Sequence, residues 1–273
     1  MVRAMGERGM LEAIEQLSGA ELERIVELLA PYLTAERVQR LEGALGARTR
    51  ELVVVAEDLD KEHNLSAVIR SAEAFGLLEV HAVPKPGVEL KITRRVSIGS
   101  EKWIDLFRHE TPLEAHRRLR ARGYEIWAAD VHGEAVSLED VPLDRKLALV
   151  FGNEKDGLDD ASVRDADRVF SIPMHGLGES LNVGTAAAVS IYDLLARKRR
   201  AGLFRGLDPV ERLRVRAAWY ALSVRAAPEL LARDGLLAPR MASVSLVDVD
   251  LLAPARTGRV RKRDRARRAA RAG

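Results

Sequence analysis

The chain has 273 residues, 47% of them hydrophobic and 31% charged, and it contains no cysteine. That balance belongs to a globular protein able to bury a sizeable core, and the missing thiols exclude disulfides, thiolate–zinc sites and cysteine nucleophiles. No segment reaches the roughly 18 apolar residues of a membrane helix, and residues 1–10 lack the apolar run of a signal peptide. The expectation is a cytoplasmic protein with no membrane partner. The net charge of +3 is unevenly spread: from Arg256 onward nine basic residues and one acid carry +8, which leaves about −5 for residues 1–255. Such a basic tail reads as an unstructured segment that touches nucleic acid, with a merely solubilising end as the alternative.

In chain order, residues 9–30 place apolar side chains at Leu11, Ile14, Leu17, Leu22, Ile25, Leu28 and Leu29, a helical spacing with a break near Ser18-Gly19. Pro31 stops the run, and Thr34 caps a second helix reaching about Leu45. From residue 51 the pattern changes to strands at 52–56, 78–83, 124–130, 147–151 and 168–173. Helices are expected between them at 65–75, 111–123, 159–166 and 181–200. Strands alternating with helices predict an α/β domain with a mostly parallel sheet. A last helix, 208–227, opens with Asp208 as cap and Pro209 in its first turn. Beyond Pro228 no clear periodicity remains.

Three segments stand out chemically. The first, EDLDKEHNLSAVIRSAEAFG (57–76), has no glycine where a dinucleotide-binding turn would need one, which argues against nicotinamide or flavin chemistry. Asn64 sits where a helix cap belongs, and Arg70 follows six residues later; about 240° of helix separates them, so they share a site only if Asn64 precedes the first turn. The second, LALVFGNEKDGL (147–158), runs a strand into a loop bracketed by Gly152 and Gly157, with Glu154 beside the strand end. Ligands of open α/β sheets bind at such carboxyl ends. The third, VFSIPMHGLGESLNVGTAAAVSIYDLLARK (169–198), ends a strand at Ile172-Pro173 and loops through two glycines. It then enters a helix that Ser180 opens and whose small residues, Ala186 to Ala188, allow close approach of a neighbour. Simple N-capping by Ser180 or Asn182 is the bland reading of that start. The six histidines show no metal-ligand spacing, His175 reads as a surface residue, and Trp103, Trp127 and Trp219 read as core or interface.

Taken together, Asn64 and Arg70, Phe151-Gly152 with Glu154, and Ile172-Pro173-Met174 with Ser180-Leu181-Asn182-Val183 resemble the SPOUT methyltransferases, in the branch that methylates ribose 2′-hydroxyls. The likeness spans roughly residues 48–220; Gly184-Thr185 stand where that branch commonly has a serine-valine pair. The resemblance implies a deep trefoil knot in an α/β domain over 49–200. A helical leader would fill 1–48, a helical extension 201–230, and an irregular region with the basic tail 231–273. It also implies S-adenosylmethionine as cofactor, no metal, tRNA as substrate with guanosine 18 as target, and a homodimer for which the alanine-rich face of 181–200 is the candidate contact. Cofactor-binding positions carried over are Ala129, Gly152, Ile172, Met174 and Leu181; catalytic positions are Asn64, Arg70, Glu154, Ser180 and Asn182. The competing functions are the same reaction on ribosomal RNA, a non-catalytic RNA-binding protein of this fold and, more remotely, a small-molecule α/β enzyme.

Overall fold

The computed structural model describes residues 7–58, 62–85, 87–88, 92–130, 134–153, 155–178 and 180–237; Glu154 and the basic tail lie outside them. At its centre are strands β1 (Leu52–Glu57), β2 (Glu79–Val83), β3 (Asp105–Arg108), β4 (Tyr124–Ala129), β5 (Val136–Ser137), β6 (Lys146–Phe151) and β7 (Arg168–Ser171). They form one sheet in the order β3-β2-β1-β6-β4-β7-β5, with every pairing parallel. Strand β1 is buried at every position, as a central parallel strand covered on both faces must be. Its side chains divide by parity. Leu52, Val54 and Ala56 join one core with Val68, Ile69, Ile191 and Leu194. Val53 and Val55 join another with Ala115, Leu119 and Val150.

The first core lies under helices α4 (Glu62–Phe75) and α8 (Val183–Arg200); the second lies under α6 (Pro112–Ala121) and α7 (Asp160–Asp165). A Cβ at Gly184 would meet the Ala67 Cβ at 2.7 Å, so glycine is what lets the start of α8 close on α4. Ala187 is fully buried in the same core. The small-residue face expected to meet a second copy is thus spent, at these positions, inside the chain. A short helix, α5 (Arg94–Ser97), lies against α4.

The two ends of the chain build a second core together. Helices α1 (Glu7–Glu15), α2 (Gly19–Leu29) and α3 (Ala35–Gly46) pack on α9 (Pro209–Ser223), and α10 (Ala227–Arg233) packs on α2 and α9. Ile14, Leu22, Ile25, Leu29, Leu45, Trp219 and Leu231 fill it. Ser18, at the expected break, makes a reciprocal capping box with Glu21, and Thr34 caps α3, as the sequence predicts. The junction with the sheet is a buried arginine. Arg48 donates to the carbonyls of Glu73 (3.0 Å) and Leu77 (2.7 Å) and to Glu73 Oε1 (2.6 Å), and its guanidinium lies over Trp219.

Four expectations need correcting. Helix α4 begins at Glu62, so Asn64 lies inside its first turn and is not the cap. Ser180 does not open α8; Asn182 is its cap, its Oδ1 accepting the Gly184 N–H at 3.0 Å. The 208–227 helix divides after Ser223, and Pro228 sits in the first turn of α10, where its missing N–H costs no intrahelical bond. Helix α10 therefore crosses the expected boundary at 230. Strands β3 and β5 were not anticipated because they are short edge strands with half-exposed residues and no apolar run.

Candidate active site

The carboxyl ends of β4, β6 and β7 open into a cleft of about 620 Å³, within the roughly 300–1,000 Å³ that small-molecule sites occupy. The glycine-bracketed loop after β6 makes one wall. Asn153 and Gly157 bond to each other through both backbone pairs (3.2 and 3.1 Å), and Asn153 Oδ1 accepts the N–H groups of Lys155 (2.9 Å) and Asp156 (2.7 Å). A Cβ at Gly152 would sit 2.1 Å from the Gly157 carbonyl oxygen. The turn therefore closes only around glycine, and Gly157 itself has φ +73°. The segment after β7 makes the opposite wall, and α7 with the start of α8 completes it.

All five positions carried over for the cofactor, Ala129, Gly152, Ile172, Met174 and Leu181, line this one cleft, and Ser180 lines it too. Its lining includes the apolar residues Phe151, Leu158, Phe170 and Val183 and the acidic residues Asp130, Asp156 and Asp160. The three aspartates were missed in the sequence; only their nearness to strand ends could have marked them. No cluster of potential metal ligands occurs among the described residues.

Of the remaining positions, Asn64 and Arg70 sit on α4, Asn182 caps α8, and Glu154 lies outside the described residues. Asn182 Nδ2 donates to Asn64 Oδ1 at 3.4 Å, and Asn64 is 1% exposed. Arg70 is exposed and its Nη1 donates to the Val96 carbonyl at 3.5 Å. Asn64 and Arg70 thus serve different neighbours, as six residues of one helix require. Arg70 faces the 93–103 segment, which is itself anchored: the Thr93 N–H bonds Ser66 Oγ at 2.8 Å and Ser97 Oγ bonds Glu101 at 2.6 Å. In that segment Ile98 holds φ 53° while 67% exposed, a costly conformation for a β-branched residue.

Among the described residues, His81, His109 and His116 are buried histidines. His81 and His109 meet at 2.9 Å. Burial, aided by Arg122 and Arg50, lowers His81 to about 3. Burial and the neighbouring His81 lower His109 to about 4. His175 is exposed, and Trp127 and Trp219 are buried.

Residues 51–192, which carry the cleft and the Asn64, Arg70 and Asn182 side chains, match the SpoU rRNA methylase family. The chain belongs to that family. A curated member, the tRNA (guanosine(18)-2′-O)-methyltransferase of Thermus thermophilus, is 38% identical over 189 residues, covering 68% of this chain and 96% of that protein. Among solved structures, the A. aeolicus TrmH/SpoU tRNA modifying enzyme superposes with a TM-score of 0.64 at 29% identity, covering 69% of this chain and 97% of that one. The AdoMet-bound rRNA methyltransferase from Sinorhizobium meliloti superposes at 0.50 and 25% identity, over 59% of this chain and 60% of that one. The SpoU match takes in the whole cleft wall between β4 and α8, while helices α1–α3, α9 and α10 lie outside it.

Proposed function

We propose that this SpoU-family chain transfers the methyl group of S-adenosylmethionine to the ribose 2′-hydroxyl of guanosine 18 in tRNA, acting as a homodimer whose 152–183 region is tied in a trefoil knot. The observation that carries the reading is the convergence of Ala129, Gly152, Ile172, Met174 and Leu181 on one cleft, in a chain similar to a tRNA guanosine-18 enzyme over nearly that enzyme's full length. When bound, the donor supplies an electrophilic methyl on a sulfonium and needs no metal. The chain's own task is to orient an in-line attack by a poor nucleophile.

In this reading the apolar lining holds the adenine and Gly152, Ile172 and Leu181 offer backbone groups to the rest of the nucleoside. Arg70 keeps its proton, since a guanidinium has a pKa of roughly 12 or above. It binds the phosphate beside the target and stabilises negative charge developing on the ribose oxygen. Asn64 does not orient Arg70 but holds Asn182, which fixes the entry to α8 and with it the Ser180–Leu181 rim of the cleft. Glu154 is assigned to steering Asn64 or Arg70. Val189 and Tyr192, 39% and 62% exposed on α8, supply apolar surface for the two-fold contact. The basic tail adds phosphate contacts that carry no sequence information.

The test is mass mapping of ribose methylation after incubating the protein with S-adenosylmethionine and unmodified tRNA or ribosomal RNA. Methylation at guanosine 18 of tRNA is expected. Label confined to ribosomal RNA would replace the substrate, and label in neither would remove the reading.

A further inference from the structure

Behind the cleft lies a chain of polar groups that the chemistry above does not use. Helix α7 lines the cleft with Asp160, Val163 and Arg164, while Ser162 and Asp165, three apart on its other face, meet the end of β1 and helix α6. Ser162 Oγ donates to Glu57 Oε1 at 2.6 Å, and both residues are at most 1% exposed. Glu57 closes β1 and precedes Asp58, which has φ 51°. From α6, fully buried His116 sets Nδ1 2.9 Å from Asp165 Oδ2 and Nε2 3.6 Å from Glu57 Oε1. One turn on, Arg120 donates to Asp165 Oδ2 (2.8 Å), to the Asp165 carbonyl and to Asp167 Oδ1 (3.1 Å). Burial alone would raise the Asp165 carboxyl, but Arg120 and His116 outweigh it and hold it below its usual range.

We propose that Glu57, Ser162, His116 and Asp165 form a brace that sets the position of α7, and thereby the affinity for the methyl donor, without touching the donor. These are positioning residues, and the donor half of the inference rests on the cofactor reading above. Ser162, Glu57 and His116 are not a hydrolytic set: the hydroxyl donates to a carboxylate, not to an imidazole, and the serine is closed to any substrate. A six-residue helix has little stability of its own, and apolar contacts are not directional. Burying a carboxylate is costly, and what these bonds add is direction. They tie the outer wall of the cleft to β1 and to α6 at fixed distances.

The experiment compares Ser162→Ala, Ser162→Thr and Leu119→Ala, the last removing apolar contact from the same layer without removing a hydrogen bond. Calorimetric titration with S-adenosylmethionine is expected to show Kd about ten-fold weaker for Ser162→Ala, near wild type for Ser162→Thr and unchanged for Leu119→Ala despite its lower Tm. The KM for the donor should follow Kd while kcat at saturating donor stays put. Without donor, amide exchange over 160–166 should quicken in Ser162→Ala and not in Leu119→Ala. Equal donor affinity and equal exchange in Ser162→Ala and wild type would overturn the brace. So would weakening that tracks Tm across all three variants. A wild-type protein that takes up no donor would remove the cofactor reading and the donor half of this inference, while the exchange comparison still decides whether the brace holds α7.

Discussion

Among the described residues, the fourteen buried polar or charged side chains all lie between Arg48 and Lys198, in the sheet domain and at its junction. The helical module of α1–α3, α9 and α10 buries none, and its charges pair at the rim, as Arg216 does with Glu42 (2.6 Å) and Arg24 with Asp234 (2.6 Å). Exposed or half-exposed pairs of this kind add little stability, so the module rests on apolar packing. The sheet domain accepts the cost of burying Glu57, Asn64, His81, His116 and Lys198. Among the described residues, the two non-glycine residues in the left-handed region, Asp58 and Ile98, also belong to it. Polar burial and backbone strain belong to the sheet domain and its junction, and the described residues of the terminal helices carry neither.

The largest effect should come from cutting into either apolar core. Leu22→Ala in the module and Leu149→Ala in the sheet, both fully buried, should each cost about 3 kcal/mol. Because Arg48 joins the two cores, urea unfolding of either variant should stay a single transition shifted as a whole. Two transitions, only one of them moved by Leu22→Ala, would show that the regions are independent.

Acid should separate the regions next. His81 and His109 are depressed from 6.5 to about 3 and about 4 when folded, so below pH 6.5 the unfolded chain binds protons that the folded chain refuses. Stability contributed by the sheet domain should therefore fall as pH drops from about 6.5 toward 4. The variant His81→Asn should flatten that slope in unfolding titrations. A slope unchanged by the substitution would place the acid sensitivity elsewhere. The smallest effect concerns strain: Ile98→Gly should raise stability by about 1 kcal/mol, measured as an increase in Tm, and a decrease would mean that the exposed side chain is a needed contact.

The same contrast explains what could be read from the sequence. Strands β1, β4 and β6 are visible as apolar runs because both faces of a central strand are covered, and the cleft is visible because Gly152 and Gly157 stand at a strand end. The break near Ser18-Gly19 and the capping signal at Thr34 mark α2 and α3. The joining of α1–α3 to α9 and α10 is not visible, since it depends on contacts about two hundred residues apart between helices of ordinary amphipathic pattern. Nor is the brace behind α7. Glu57, His116 and the Ser162/Asp165 pair of α7 are far apart in the chain, and only the parallel order of the sheet brings them together. Asn64 misled for a local reason: it is a good capping residue, but α4 starts two residues earlier and turns its side chain toward Asn182.

The central claim is that donor binding belongs to the cleft and activation of the acceptor to Arg70 on α4. Single-turnover methylation of tRNA by Arg70→Ala, with calorimetric titration of S-adenosylmethionine into the same variant, tests that division directly. The account predicts a rate lowered by about a thousand-fold, the scale of losing a group that stabilises developing negative charge, with donor Kd within about three-fold of wild type. A near-normal rate, or a rate loss that a matching loss of donor affinity explains, would contradict it.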